Sequence, residues 1–397
     1  MSAWVSRCPN CRQFGTIQKK DIVSQEKTVP VNTPHLLSEV SVDEGERILT
    51  YVSEFDSVVG GLVSGQVVLL YASPGVGKST LAGQLCEASG RSAVYVSAEE
   101  SLSQVALRHR RIGVGENTRI LSTRFWGDVE SLTCDLLVVD SLQTMVTGVD
   151  SRAGSRSQME SVMLKICEKA KTQNIPVLVI CQVTKEGEAS GPNSVAHMCD
   201  TILSLESSPS SPLIFLHCDK NRYNSTEGVG IFAHTSRGLI EVPNPEDYLV
   251  GAHTGPVCGV ARTVVTDSGR SMAVEVQALV TPSSSTPMRV AEGVKRSRLN
   301  QVLAVLEYYG NVSFEGLDVF VTTVGGVELE RRSDAAVALA LVSSLKRRSF
   351  DLPPIISGEV FLTGEILELN PKRINSYARK IGNPVKSVRT IQELVEL

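Results

Sequence analysis

The sequence predicts an α/β fold with a mainly parallel sheet up to about residue 247, followed by an α+β domain. Two observations support this prediction. Short apolar runs alternate with helical patterns in the first part, as they do in parallel sheets, whereas a hairpin signal and further helices follow Asn244 and Pro245. The 397 residues are enough for two or three domains with sizeable cores.

The most informative stretch is residues 66–81. The apolar run 67–71 predicts a buried strand, residues 73–77 a tight loop, and Lys78 the start of a helix that ends near Gly90. This order is the context of a phosphate-binding P-loop, because backbone N–H groups of the loop and of the helix N-terminus face the anion. The expected nucleotide-binding residues are Ala72, Ser73, Pro74, Gly75, Val76, Gly77, Lys78, Ser79 and Thr80.

Individual side chains of this loop have separate roles. Lys78 is expected to neutralise the β- and γ-phosphates of ATP, and the Ser79 hydroxyl to bind Mg²⁺. Ala72 stands at the first glycine of the motif G-x-x-x-x-G-K-[ST], whereas Gly75 and Gly77 are both retained. The sequence therefore predicts ATP and Mg²⁺ as cofactors, and a chance glycine-rich loop is the alternative.

The composition is that of a soluble globular protein, with 42% hydrophobic and 21% charged residues. No apolar run reaches the ~18 residues of a membrane span, and the polar start does not read as a signal peptide. The net charge of −4 neither supports nor excludes a nucleic-acid site. The nine cysteines fit a reducing compartment, so we expect a cytoplasmic protein with no membrane partner.

The N-terminal residues carry half of a zinc site. Cys8 and Cys11 have zinc-knuckle spacing, but a structural zinc needs four ligands and only two are supplied. Either the start lies further upstream or the ribbon is degenerate, and a free surface C-x-x-C is a third possibility. We therefore predict a partial zinc ribbon over residues 1–20 with possible Zn²⁺ binding, and a linker over residues 21–46.

Two strands after the P-loop end in acidic residues. The run 93–97 predicts a strand that delivers Glu99, which is expected to orient a water onto the γ-phosphate, although surface glutamates are common. The run 136–140 is closed by Asp140 in a Walker-B pattern, in which the aspartate holds Mg²⁺ through water. An aspartate at a strand end is also a common helix cap, but this one follows a P-loop by ~60 residues, which makes the assignment strong.

Two later polar stretches are candidate sensors of nucleotide or polymer. A predicted strand over 175–181 delivers Gln182 and a polar loop over 183–192, which is suited to sensing the γ-phosphate or is a plain surface loop. Strands are predicted over 201–205 and 213–218. The turn beyond them contains two cations and an aromatic ring, which suit a phosphate or a base but also a solvated corner, at Lys220, Asn221, Arg222 and Tyr223.

These motifs together resemble the bacterial RadA/Sms DNA-repair ATPase family, whose core resembles RecA. The resemblance covers nearly the whole chain and rests on residues 55–81, 95–101, 138–145, 183–187, 191–192, 197–198 and 220–223. The motif at 220–223 is the most distinctive, with Tyr223 in its aromatic place. The departures from the family are Ala72, the missing first cysteine pair, and Gln182 where the family more often has histidine.

The resemblance implies a function. It implies a DNA-dependent ATPase and translocase with a RecA-like P-loop core over residues 47–247. The family acts in recombinational DNA repair by branch migration on single-stranded and branched DNA, as a homohexameric ring beside a RecA-type recombinase. The catalytic set implied is Lys78, Glu99, Asp140, Gln182 and Arg222. Lys220 and Arg222 would act across a subunit boundary or on DNA.

Residues 248–397 resemble the Lon-protease-like C-terminal domain of the same family. The pattern predicts β runs over 257–265 and 272–280, a helix with the Leu299 stripe, a strand over 317–324 and a helix over 333–345. Residues 361–365 are predicted to end another strand, and residues 374–381 to begin a last helix. Basic clusters in this part are either solvated faces or the lining of a DNA path.

Two rival functions remain open at this stage. An ATP-dependent protease of the Lon type needs a serine nucleophile and a lysine base. Ser333 falls near the nucleophile position, but Asn375 stands where the lysine is expected and Lys372 lies one turn away. We therefore favour a scaffold for ring assembly. A nucleotide-gated assembly platform with little turnover is the other rival, and the intact Lys78, Glu99 and Asp140 argue against it.

Overall fold

The computed structural model describes residues 47–113, 115–148, 152–182, 192–207 and 211–397. Within these ranges nine strands form one sheet in the order β3-β2-β4-β5-β1-β6-β7-β8-β9. The strands from β3 to β6 in this order are parallel, and β6 to β9 form an antiparallel meander. Their bounds are β1 Val67–Ala72, β2 Ala93–Ser97, β3 Thr118–Ser122, β4 Leu136–Asp140, β5 Val177–Gln182, β6 Thr201–Ser207, β7 Leu213–Asn221, β8 Val229–Thr235 and β9 Gly238–Glu241.

Helices cover both faces of this sheet because its central strands are apolar on both sides. Val68 and Leu70 of β1 face one cluster that includes Leu81 of α2, whereas Leu69 faces another that includes Val162 of α5. The helices of this part are α1 Ser53–Val59, α2 Lys78–Ala88, α3 Leu102–Arg111, α4 Trp126–Glu130, α5 Arg156–Gln173, α6 Pro192–Val195 and α7 Glu246–Leu249.

The following residues form an α+β arrangement around a four-stranded sheet of order β11-β12-β14-β13. A third hydrophobic cluster joins this sheet to the helices α8, α9 and α11. The bounds are β10 Val257–Cys258, β11 Val260–Asp267, β12 Arg270–Pro282, β13 Arg289–Ala291, α8 Arg296–Gly310, β14 Leu317–Thr323, α9 Asp334–Lys346, β15 Ser349–Phe350, β16 Glu359–Val360, β17 Ile366–Leu367, α10 Pro371–Lys380 and α11 Ile391–Glu396.

The predicted fold class is confirmed, with corrections to individual elements. Strand β7 continues to Asn221, so Lys220 and Asn221 lie in a strand and only the residues from Arg222 onward turn. Residues 361–365 do not end a strand but connect two short antiparallel ones, β16 and β17, in which Val360 pairs with Ile366. The helix expected to be last is α10, and α11 follows it.

No helix within the described ranges combines the length and apolar character needed to span a membrane. The predicted zinc half-site, Cys8 and Cys11, lies outside the described residues, and so does most of the loop after Gln182. Among the residues that are described, no cluster of His, Cys, Asp and Glu could hold a metal ion by itself.

Candidate nucleotide-binding site

The predicted P-loop, the two predicted carboxylates and Gln182 meet at one edge of the large sheet. The P-loop follows β1, Glu99 follows β2, Asp140 closes β4 and Gln182 closes β5. Because these strands are parallel, their carboxyl ends share an edge, the usual place for ligands in such sheets. The residues there line a cavity of about 280 Å³: Pro74, Gly75, Gly77, Lys78, Ser79, Thr80, Ser97, Glu99, Glu100, Arg108, Asp140 and Gln182.

The backbone of the P-loop explains why alanine is accepted at its first position. Gly75 and Gly77 have φ values of +85° and +110°, which strain any residue with a Cβ. Ala72 is a buried residue at the end of β1 and is not among the residues with positive φ. The loop therefore retains glycine at the two positions whose backbone requires it, and a small residue suffices at Ala72.

Lys78 folds back over the loop. Its ammonium donates hydrogen bonds to the carbonyl oxygens of Ala72 and Ser73, each at 2.9 Å. The residue is only 6% exposed, and this burial lowers the pKa of the lysine, while the negative charges of Asp140 and Glu99 oppose the shift. The cation thus already lies where the P-loop would receive a phosphate.

The two predicted carboxylates have different environments. Glu99 is exposed, accepts a short hydrogen bond from the Ser141 hydroxyl, and lies 3.4–3.5 Å from the amide nitrogen of Gln182. Asp140 is buried and accepts a short hydrogen bond from the phenol of Tyr95. Burial, together with the charge of Asp140, raises the pKa of Tyr95 well above its ordinary value, so the phenol remains a donor.

Sequence reasoning missed Arg108, which lines this cavity, and Tyr95, which donates a hydrogen bond to Asp140. Arg108 makes a short ion pair with Glu100, and its other terminal nitrogen lies 3.0 Å from the Tyr95 hydroxyl. A usable signal was the S-x-x-Q pattern of Ser101 and Gln104, which forms a capping box that starts α3. Arg108 lies two helical turns later, so its position can be predicted only if α3 is predicted first.

The structure places the 220–223 motif at the opposite edge of the sheet. Thr201 at the start of β6 pairs with Asn221 and with Val68 near the start of β1, so the motif lies far along the strands from the P-loop. The Lys220 ammonium donates to the carbonyl oxygens of Ala196 and Cys199 at 3.3 and 2.6 Å.

Arg222 is bound to its own chain in a similar way. Its guanidinium lies 3.0 Å from a carboxylate oxygen of the buried Asp200, although the arginine side chain is about half exposed. Arg222 does not line the nucleotide cavity of its own chain.

The geometry around Ser333 does not resemble a protease site. The residue is 1% exposed, and its hydroxyl lies 3.3 Å from that of Thr263. Among the described residues no lysine or histidine hydrogen-bonds to it, and Lys372 and Asn375 are exposed on α10. A buried serine without a base is a weak nucleophile.

Comparison with known proteins identifies the family. A model of the ATPase family associated with various cellular activities (AAA) matches residues 68–205. The chain is 35% identical to the DNA repair protein RadA of Aquifex aeolicus, over 91% of this chain and 84% of that protein. It is 33% identical to the protein of the same name from Mycobacterium tuberculosis, over 98% of this chain and 84% of the relative.

A solved structure of the RadB recombinase is also similar, with 23% identity and a TM-score of 0.41 over 49% of this chain and 99% of that one. The two relatives above share more than 30% identity with nearly the whole chain, and their match extends through the P-loop and the C-terminal part alike. This chain therefore belongs to the DNA repair protein RadA family.

Proposed function

We propose that this protein is a DNA-dependent ATPase that moves on single-stranded DNA and processes branched intermediates of recombinational repair. The observation that carries the proposal is the cavity in which Lys78, Glu99, Asp140 and Gln182 meet beside the P-loop. Two curated relatives, at 35% and 33% identity, are named DNA repair proteins. We further propose a homohexameric assembly and a RecA-type recombinase as partner. The free cysteines of the described residues fit a cytoplasmic setting.

Each of these cavity residues would have a separate role in ATP hydrolysis. The Ser79 hydroxyl and the Asp140 carboxylate are hard oxygen ligands of the kind that Mg²⁺ prefers, and the ion would neutralise charge on the phosphates. Lys78 would exchange its two loop carbonyls for phosphate oxygens. Glu99 is exposed beside the P-loop and would orient the attacking water. Gln182, within 3.5 Å of Glu99, would couple the position of that carboxylate to the position of the loop that follows.

The sheet polarity supports an action of Lys220 and Arg222 on another subunit or on DNA. Both side chains leave the sheet at the edge opposite to the P-loop of their own chain. In a ring, such an edge can face the nucleotide of a neighbour, where Arg222 would stabilise charge on the γ-phosphate. Arg222 would first have to leave Asp200, a bond that is exchangeable because the arginine side chain is 54% exposed.

The primary test is ATP hydrolysis by the full chain with and without single-stranded DNA. Lys78→Ala should abolish turnover, because it removes the cation at the phosphates. Glu99→Gln should retain nucleotide binding and stop hydrolysis. Glu100→Gln provides the comparison, since the adjacent carboxylate pairs with Arg108 rather than standing free. Full turnover in Glu99→Gln would assign the catalytic carboxylate elsewhere.

A second test addresses the action of Arg222 in trans. Arg222→Ala should bind ATP but lose DNA-stimulated hydrolysis and branch migration. Mixing Arg222→Ala subunits with Lys78→Ala subunits should restore part of the turnover, because the second kind supplies an intact arginine to a neighbour with an intact P-loop. An absence of recovery at every mixing ratio, in rings shown to exchange subunits, would count against the trans assignment.

A further inference from the structure

Arg108 is a cation inside the nucleotide cavity that neither a P-loop nor a Walker-B motif accounts for. It projects from α3, and its side chain is only 16% exposed. One terminal nitrogen pairs with Glu100, and the other lies 3.0 Å from the Tyr95 hydroxyl and 3.9 Å from a carboxylate oxygen of Asp140. The guanidinium thus joins two carboxylates and the phenol that itself donates to Asp140.

The charges of the cavity make this cation consequential. Three carboxylates line it, those of Glu99, Glu100 and Asp140, against the two cations Lys78 and Arg108. Lys78 is held by the two carbonyl oxygens of the loop, on the P-loop side of the cavity. Without Arg108, the acidic side would have no cation of its own and would attract a divalent ion more strongly, because Coulomb energies rise steeply where water is partly excluded.

The link to Asp140 is direct and also indirect. Tyr95 accepts a hydrogen bond from Arg108 and donates one to Asp140, so the guanidinium constrains both the charge and the orientation of the metal-binding carboxylate. The Nε atom of Arg108 is buried and has no hydrogen-bond partner among the described residues. Burying a guanidinium with an unused donor costs free energy, and the attraction of the surrounding carboxylates offsets that cost.

We propose that Arg108 is a positioning residue that serves as the counter-cation of Asp140 while no metal-bound nucleotide is present. Divalent metal then binds the site weakly without nucleotide and more tightly with it, because the added phosphate charge offsets the repulsion between Arg108 and the metal. The inference rests on the proposed role of Asp140 in holding the metal.

The test is the binding of Mn²⁺ to the full chain without nucleotide, followed by electron paramagnetic resonance of the free ion. Arg108→Gln is expected to bind Mn²⁺ about tenfold more tightly than the unchanged protein, since one nearby positive charge is removed. Arg110→Gln is the matched control, because Arg110 lies on the same helix and faces solvent. It should stay within about twofold of the unchanged protein. Equal affinities in Arg108→Gln and Arg110→Gln would overturn the proposal.

Further variants test whether the charge or the shape of Arg108 matters, and whether the metal binds at Asp140. Arg108→Lys keeps the charge and should bind Mn²⁺ as weakly as the unchanged protein, so tightening in this variant would also overturn the proposal. Adding Asp140→Asn to Arg108→Gln should abolish the gain, and a gain that persists would place the metal elsewhere. Arg108→Met replaces Arg108→Gln if the latter does not fold by circular dichroism.

The proposed function is tested separately in the same experiment. In the unchanged protein, ADP should bring Mn²⁺ into the site, and Lys78→Ala should prevent this. If ADP brings in no Mn²⁺, the nucleotide site itself fails, whereas the comparison of Arg108→Gln with Arg110→Gln still decides the role of Arg108.

Discussion

His109 should make the stability of this protein depend on pH. The ring is 2% exposed, packs edge-on against Tyr95 at 4.9 Å between centroids, and has no hydrogen-bond partner for either nitrogen among the described residues. Burial, together with the charge of Arg108, lowers the pKa of His109 from 6.5 to about 4. The folded state therefore favours the neutral ring.

The sign and size of the effect follow from that shift. As the pH falls from above 6.5 towards 4, the unfolded chain takes up a proton at this position that the folded chain does not, so folding loses stability. With the pKa lowered to about 4, the linkage relation gives a loss of about 2 kcal/mol between pH 7 and pH 5. The loss is complete only below the folded pKa.

The assay is urea unfolding followed by circular dichroism at both pH values. His109→Leu, which cannot titrate, should lose about 2 kcal/mol less stability on acidification than the unchanged protein. His234→Leu is the control, since His234 is exposed, and it should keep the full dependence on pH. Identical losses in the unchanged protein and in His109→Leu would refute the reasoning.

Two further predictions concern the C-terminal part and the N-terminus. Arg298→Ala should destabilise the protein by about 3–5 kcal/mol in urea unfolding, because it leaves the carboxylate of Asp334, 3% exposed and bound by the Nε of Arg298 at 2.9 Å, buried without its partner. The exposed Arg296→Ala should have little effect. Elemental analysis should find less than one zinc per chain, since Cys8 and Cys11 supply half of a ligand set; one tightly held zinc would contradict this unless subunits share the site.

The shared edge of the site was predictable because it depends on local patterns. Each of three apolar strands ends in a polar residue or is followed by one, namely Glu99, Asp140 and Gln182, and parallel strands bring such ends together. The alternation of apolar and helical segments sufficed for this inference.

The inward position of Arg108 could not be read in the same way. Helix α3 ends in the run Arg108, His109, Arg110 and Arg111, which resembles a solvated basic terminus complementing the helix dipole. Helical geometry places Arg108 on the face of the buried Val105, three residues earlier, and the neighbouring sheet edge then decides its partners. Strands β8 and β9 were missed for a different reason, because Gly230 lies within β8 and Gly238 begins the short β9, and glycine weakens a pattern that otherwise favours strands.

The boundary expected near residue 247 illustrates why a domain boundary is harder to predict from sequence than a strand. We propose that residues 47–247 and 248–397 are distinct in topology yet share a core. Along β8, Phe232 faces the cluster beneath the P-loop sheet, whereas Ile231 and Ala233 face the cluster of the C-terminal part. One strand with alternating faces thus serves two cores.

A charged contact crosses the same boundary. Glu54, in the first turn of α1, is buried and makes a short ion pair with Arg270, at the start of β12. Arg270 also donates to the carbonyl oxygen of Pro243 at 2.9 Å, immediately before the change of pattern at Asn244 and Pro245. A proline-containing segment marks a change of pattern in the sequence, but the pairing of apolar faces and buried charges across it is a property of the folded chain. Movement of the C-terminal part against the ATPase sheet would have to break this ion pair and expose the shared face of β8, so the two parts are expected to move together.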